Sequence, residues 1–75
     1  MRDDPQTLRT IQAQVVERLG TRIVRGEIAP GAAIPSEHAL CATLEVSRTV
    51  VREAIRTLCG KGLVTARPRS GTRVR

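Results

Sequence analysis

Apolar positions along the chain fall into three periodic segments followed by two short alternating ones. Leu8, Ile11, Val15, Leu19 and Ile23 recur at spacings of three and four, the period of one helix face. They predict an amphipathic helix that ends near Arg25, with Gly26 as its stop signal. At its start Asp4 can cap and Pro5 can take the first helical position. Residues 1–6 are assigned as a flexible N-terminus, ahead of one domain over residues 7–75. Gly20 weakens the helix interior slightly and is expected to mark close packing against another helix.

Residues 26–35 read as a connection. Pro30-Gly31 is a turn signal, and Ala32 to Ile34 is long enough for a minimal strand. Pro35 leads into Ser36, a good N-cap for a short helix over about Ser36–Leu44 with Ala39, Leu40 and Leu44 turned inward. Glu45-Val46 makes a tight connection, and Ser47 caps a third helix that runs to about Cys59. Its buried stripe is Val51, Ala54, Ile55 and Leu58, and Gly60 and Gly62 bracket its end. Two short helices joined by so few residues have the layout of a helix-turn-helix. Leu63–Arg67 and Thr72–Arg75 then read as strands, with Val64, Ala66 and Val74 on one face. Pro68, Arg69, Ser70 and Gly71 form the four-residue loop between them. The expected fold is mainly α with a small β-hairpin: a winged helix-turn-helix of three helices, a short first strand and a two-stranded wing.

Composition narrows what such a fold can do. The chain has 75 residues and no Phe, Tyr or Trp, so its core is aliphatic and small. The hydrophobic share of 40% is too high for a disordered basic tail. A pocket with converging polar groups is hard to build around so small a core, so neither an enzyme nor a cofactor is expected. No apolar run approaches the length of a membrane span, and Met1 is not followed by a secretory pattern. A cytoplasmic location is expected. Cys41 and Cys59 are not spaced as a CxxC pair, and His38 is the only histidine, so no metal site is expected. The thiols read as small, half-buried side chains; whether they could form a disulfide depends on a separation that spacing does not give.

Charge sharpens the reading. Over residues 1–46, Arg2, Arg9, Arg18, Arg22 and Arg25 face Asp3, Asp4, Glu17, Glu27, Glu37 and Glu45, a net charge of −1. Over residues 47–75, Arg48, Arg52, Arg56, Lys61, Arg67, Arg69, Arg73 and Arg75 face only Glu53, a net charge of +7. A local excess of that size predicts a polyanionic partner. Arginine suits bidentate contacts with phosphates and guanine edges. Arg48, Arg52 and Arg56 lie four apart on one helix face, a spacing at which like charges repel, and folding alone gives no reason for it.

In their order and spacing, several short motifs resemble the GntR family of bacterial transcription regulators. They are Pro30-Gly31, Ile34-Pro35-Ser36-Glu37, Val46-Ser47-Arg48-Thr49, Val51-Arg52-Glu53-Ala54-Ile55-Arg56, Gly62-Leu63-Val64 and Gly71-Thr72 with Val74. The resemblance covers about Val15 to Val74. It implies a winged helix-turn-helix that binds operator DNA as a homodimer. It also implies a larger C-terminal domain for effector binding and dimerisation, which would begin where this chain stops. The Val51-Arg52-Glu53-Ala54 segment and Arg67-Pro68-Arg69 look most like the FadR-like (FCD) branch, whose effectors are commonly small organic acids or fatty acyl compounds. An isolated DNA-binding domain is then expected to be monomeric or weakly dimeric.

Carried over position by position, the family's DNA contacts fall on Ser47, Arg48, Thr49 and Arg52, and on the Arg67–Gly71 loop. The recognition helix, residues 47–60, is expected in the major groove, with Arg48 and Thr49 near base edges. Arg52, Arg56 and Ser36 are expected at the backbone. The wing, residues 67–72, is expected at the minor groove through Arg67 or Arg69, with Ser70 and Gly71 beside them. Three positions depart from the pattern. His38 stands where Arg is usual, Val50 where Pro is frequent, and Arg73 where an aromatic residue is common, which removes apolar packing. The rival readings are an RNA-binding winged helix and a winged-helix protein interaction module. The first lacks aromatic residues for stacking unpaired bases. The second has no use for the arginine stripe.

Overall fold

The computed structural model describes residues 5–67 and 71–75. The chain forms α1 (Pro5–Val24), α2 (Glu37–Leu44), α3 (Arg48–Gly60), β1 (Val64–Arg67) and β2 (Gly71–Val74). This is the expected winged helix-turn-helix. Pro5 and Gln6, assigned to the N-terminal segment from sequence, already belong to α1. Asp4 and the cap expected of it lie outside the described residues, as does the packing of Leu8. The helix closes as expected: Gly26, at φ 79°, donates its N–H to the Ile23 carbonyl at 3.1 Å, the left-handed turn that glycine adopts without strain.

The turn between α2 and α3 is made by Glu45 at φ 57° and ψ 47°. This left-handed conformation is unfavourable for a residue with a Cβ. The Glu45 N–H closes α2 on the Cys41 carbonyl. Val46 and Ser47 then lead into α3, whose start is capped by the Ser47 hydroxyl accepting from the Val50 N–H at 3.3 Å. Val50 therefore has a local role that proline could not fill, because proline has no N–H to donate.

One aliphatic cluster holds the elements together. Val15 and Leu19 come from α1, Leu40 from α2, Val50, Val51, Ala54 and Leu58 from α3, and Val64 and Val74 from the hairpin. Ile28 and Ile34 reach in from the connection between α1 and α2. Two details differ from the expected stripe: Val50 is buried, whereas Ile55 is half-buried at its edge. Cys41 and Cys59 are free thiols packed against the same cluster.

The hairpin is antiparallel, with Val64 opposite Val74, Thr65 opposite Arg73, Ala66 opposite Thr72 and Arg67 opposite Gly71. Gly71 is thus a strand residue and not part of the expected loop; Pro68, Arg69 and Ser70 lie outside the described residues. Val64 and Val74 are buried. Ala66 shares their face by alternation but is exposed, because that end of the hairpin extends past the core. The minimal strand expected at Ala32–Ile34 reduces to one bridge, Ala33 to Arg73. It is flanked by hydrogen bonds from Gly31 N–H to Val74 O at 2.9 Å, Val74 N–H to Ala32 O at 3.0 Å and Ile34 N–H to Thr72 O at 2.9 Å. β2 therefore lies between β1 and the connection that leads into α2.

Gly20 does not mark the close approach expected of it. A Cβ there would sit 3.8 Å from both Leu58 Cδ2 and Leu63 Cδ1, ordinary contact distance. Alanine fits, and a helix interior favours it over glycine by up to about 1 kcal/mol. Gly20→Ala is expected to raise the melting temperature by a few degrees, roughly 4–8 °C per kcal/mol in a domain of this size. Thermal unfolding followed by circular dichroism measures it, and a lowered midpoint would show that the methyl group is not accommodated.

Candidate nucleic-acid interface

The candidate interface gathers the starts of α2 and α3 and the wing. Ser36 and Ser47 both have the extended backbone of an N-cap, with φ −62° and −75°. Their hydroxyls accept from Ala39 N–H at 3.0 Å and Val50 N–H at 3.3 Å. Each cap satisfies one of the free amides of a helix start and leaves the first ones pointing outward. Such amides attract anions, phosphate among them. Both serines act first as helix caps, and both are exposed.

Arg48 and Thr49 occupy the first turn of α3 and are exposed. The opposite face of that helix is shut: Val51, Ala54 and Leu58 have no exposed surface. α3 thus presents one polar edge outward from a fixed position. His38 is exposed in the first turn of α2.

The arginine stripe has internal partners that the sequence reading did not supply. Arg52 forks onto Glu37 of α2, with Nη2 donating to Oε1 at 3.2 Å and Nε donating to Oε2 at 3.4 Å. Arg56 pairs with Glu53, three residues back on the same helix, at 3.5 Å. The three arginines thus do not simply repel one another: two are partly compensated, and Arg48 makes no ion pair among the described residues. The Arg52 hydrogen bond holds the Glu37 carboxyl below its usual range, with Arg52 and Arg48 charges adding in the same direction. Glu37 in turn raises Arg52. The pair is open to solvent, so it orients Arg52 more than it stabilises the fold.

In the wing, Arg67 is exposed at the end of β1, and Gly71 begins β2 at φ 76°. Arg69 and Ser70 lie outside the described residues. Arg73 does more than remove apolar packing: its Nη1 donates to the Gly31 carbonyl at 3.0 Å, tying the wing to the connection. Glu37 and Arg73 thus hold parts of the candidate interface in place through contacts that sequence reasoning did not supply. For Glu37 the partner is 15 positions away on another helix, beyond any local spacing rule. Among the described residues, no group of acidic, His or Cys side chains is placed to hold a metal. No helix there is long and apolar enough to cross a membrane.

Residues 11–74 match the model of the bacterial regulatory proteins, gntR family. The chain belongs to this family. Its GntR-type fold is a winged helix-turn-helix DNA-binding domain and not a catalytic one. The HTH-type transcriptional regulator YieP of Escherichia coli K12 is 52% identical over 60 residues, which are 80% of this chain and 26% of that protein. The HTH-type transcriptional regulator Mce2R of Mycobacterium tuberculosis is 44% identical over 71 residues, 95% of this chain and 30% of that protein. The chain therefore spans less than a third of the length of these GntR relatives. Among solved structures, the DNA-binding domain of AraR in complex with operator ORR3 superposes with a TM-score of 0.83 at 37% identity. That match covers 87% of this chain and 78% of that one.

The Glu37–Arg52 pair gives a pH signature with a definite sign. A carboxyl held below its usual value of 4.5 keeps its pairing above that value and loses it as pH falls through the lowered midpoint. An NMR titration of the Glu37 side chain is expected to give a midpoint below 4.5 in the wild type and a return toward it in Arg52→Gln. Equal midpoints in the two proteins would mean that the fork does not persist in solution.

Proposed function

We infer that this domain is the sequence-specific double-stranded DNA reader of a GntR-type regulator, with α3 in the major groove and the wing at the adjacent minor groove. The observation that carries this is the construction of α3. One face is fully buried, and its first turn offers Arg48 and Thr49 to the outside beside the capped start of α2. Recognition helices touch base edges with their N-terminal residues. The similarity to an operator-bound AraR domain supports the same docking.

Within that docking, Arg48 and Thr49 read bases. Ser36, Ser47, Arg56 and the first amides of α2 and α3 position the backbone. Arg52, oriented by Glu37, stands between these roles. His38 contributes more weakly than an arginine would, and Arg67, Arg69, Ser70 and Gly71 approach the minor groove. The regulator works as a homodimer on paired half-sites. Its effector, a small organic acid in keeping with a FadR-like (FCD) branch, binds outside this domain, and the protein acts in the cytoplasm. The Val51-Arg52-Glu53-Ala54 segment and Arg67-Pro68-Arg69 support that branch. The isolated domain is monomeric or weakly dimeric, since among the described residues the large apolar side chains are at least half covered with Val24 as the exception.

Selection of bound sequences from random duplexes, followed by titration of selected and scrambled duplexes at one salt concentration, tests the reading. Arg48→Ala is expected to lose discrimination worth about 1–3 kcal/mol at one base pair per half-site. Lys61→Ala, at the far end of α3, is expected to weaken both duplexes equally. An unchanged ratio of affinities in Arg48→Ala would make Arg48 a backbone contact. With roughly four to six phosphates neutralised, log affinity falls against log salt with a slope near −0.9 per phosphate. A flat salt response, or equal binding of RNA and single strands, would overturn the reading as a whole.

A further inference from the structure

The hairpin register separates two sets of side chains. Val64 and Val74 face the core and are buried. Strand alternation puts Thr65, Arg67, Arg73 and Arg75 on the opposite, outward face. There, Thr65, Arg67, Arg73 and Arg75 line a shallow groove with Gly31. Arg67 and Arg75 are exposed, and Arg73 is half-buried. No acidic side chain among the described residues pairs with any of the three arginines. This differs from α3, where Arg52 and Arg56 have Glu37 and Glu53.

The placement is not explained by folding. Arg67 and Arg73 are diagonal neighbours across the hairpin, about 7–8 Å apart at Cα. Three positive charges on one face of so short a hairpin repel one another, and no acidic side chain among the described residues offsets them. The single contact that holds this face, Arg73 Nη1 to the Gly31 carbonyl, neutralises no charge. It fixes one guanidinium in place while leaving its other donors free. Arg73 and Arg75 lie two residues apart on an extended chain, about 6.6 Å at 3.3 Å per residue. One strand of duplex DNA carries one phosphate per roughly 3.4 Å of axis, and because the backbone winds around that axis consecutive phosphates lie farther apart than this rise, so the two arginines are spaced to reach neighbouring phosphates of one strand. The strip starts at Arg67, next to the wing loop, and runs away from the loop toward Arg75.

We propose that the outer face of the wing is a second DNA contact: Arg73 and Arg75, continuous with Arg67, grip the phosphodiester backbone outside the half-site read by α3 and the wing tip. The proposal rests on the DNA-reading function and extends it. The ligand is the sugar-phosphate chain of the same duplex, and the contact adds affinity and footprint without sequence information.

The test uses the selected duplex in two lengths. The short one is trimmed to the footprint of the Arg73→Gln/Arg75→Gln variant, and the long one carries about ten further base pairs at each end. Binding is titrated between 50 and 200 mM salt. Two additional neutralised phosphates steepen the slope by about 1.8, so wild-type affinity for the long duplex falls about twelvefold more than the double variant's. On the short duplex the two proteins respond alike. Arg75→Gln alone, whose side chain makes no hydrogen bond or ion pair among the described residues, is expected to remove about half of the extra slope. It guards against a folding defect caused by losing the Arg73–Gly31 tie, and matching thermal midpoints complete that check.

If wild type and double variant share one salt response on the long duplex, the proposal is overturned. If the double variant loses slope equally on both lengths, Arg73 and Arg75 act inside the half-site, and the flanking contact is likewise overturned. Either result leaves the DNA-reading function standing, provided that Arg48→Ala still loses the preference for selected over scrambled duplex. A wild type that binds no duplex at all removes both.

Discussion

Burial of one face of α3 against α1 and the hairpin is the constraint on which the rest of the domain hangs. Val51, Ala54 and Leu58 have no exposed surface, and Leu19 of α1 and Val64 of β1 are almost as deeply buried. With no aromatic side chain in the protein, no single large residue can anchor the core. Close packing of small aliphatic groups must do so. Truncating a buried leucine typically costs about 2–5 kcal/mol, a large fraction of the stability of any domain this small. The same burial fixes the rotation of α3 about its axis, so it also decides which residues face outward. Arg48, Thr49, Arg52 and Arg56 are exposed because the remaining positions are committed to the core.

What could be read from the residues follows from the range of the interactions involved. The helices are short-range objects. Their apolar periodicity, the serine caps and the glycine after α1 lie within a few residues of one another, and the elements appear where the pattern puts them. Ile28 and Val50 were less visible. Ile28 is buried from an aperiodic connection. Val50 completes a face that the three-and-four spacing had already filled. Register is a tertiary quantity: counting from the loop made Gly71 a turn residue, but pairing with Arg67 makes it part of the strand. Ala66 alternates correctly and is still exposed, because alternation gives a face and not how far the core extends beneath it.

The site divides in the same way. Helix-start residues were legible because capping chemistry is local. The Glu37–Arg52 fork was not, since it joins two helices whose crossing is set by the left-handed Glu45 turn. The fork alters the meaning of the arginine stripe. A run of like charges on a helix reads as a polyanion site by default, yet two of these arginines have carboxylate partners within the domain. Among the described residues of the basic half, the charge without a carboxylate partner lies at Arg48, at Lys61 and on the outer wing. Net charge therefore located the basic half of the molecule correctly but not the positions where the charge remains free.

The connection between α1 and α2 joins these parts mechanically. Its residues Gly31 to Ile34 hydrogen-bond to β2, and two residues later the chain becomes the Ser36 cap of α2. β2 lies between β1 and this segment, so its pairing to β1 and its hydrogen bonds to Gly31–Ile34 set the wing relative to the start of α2. The Glu37–Arg52 fork then links the start of α2 to the outer face of α3. The path from wing to recognition helix runs through backbone hydrogen bonds, a helix cap and one bidentate ion pair, with the aliphatic core beneath it. A reader of two adjacent grooves must hold its two contact elements at a fixed separation, because misplacement of either forfeits the contacts of one. The short strand segment sets the wing against the start of α2, and the Arg73 guanidinium on the Gly31 carbonyl closes the edge at which the wing would otherwise be held by backbone alone.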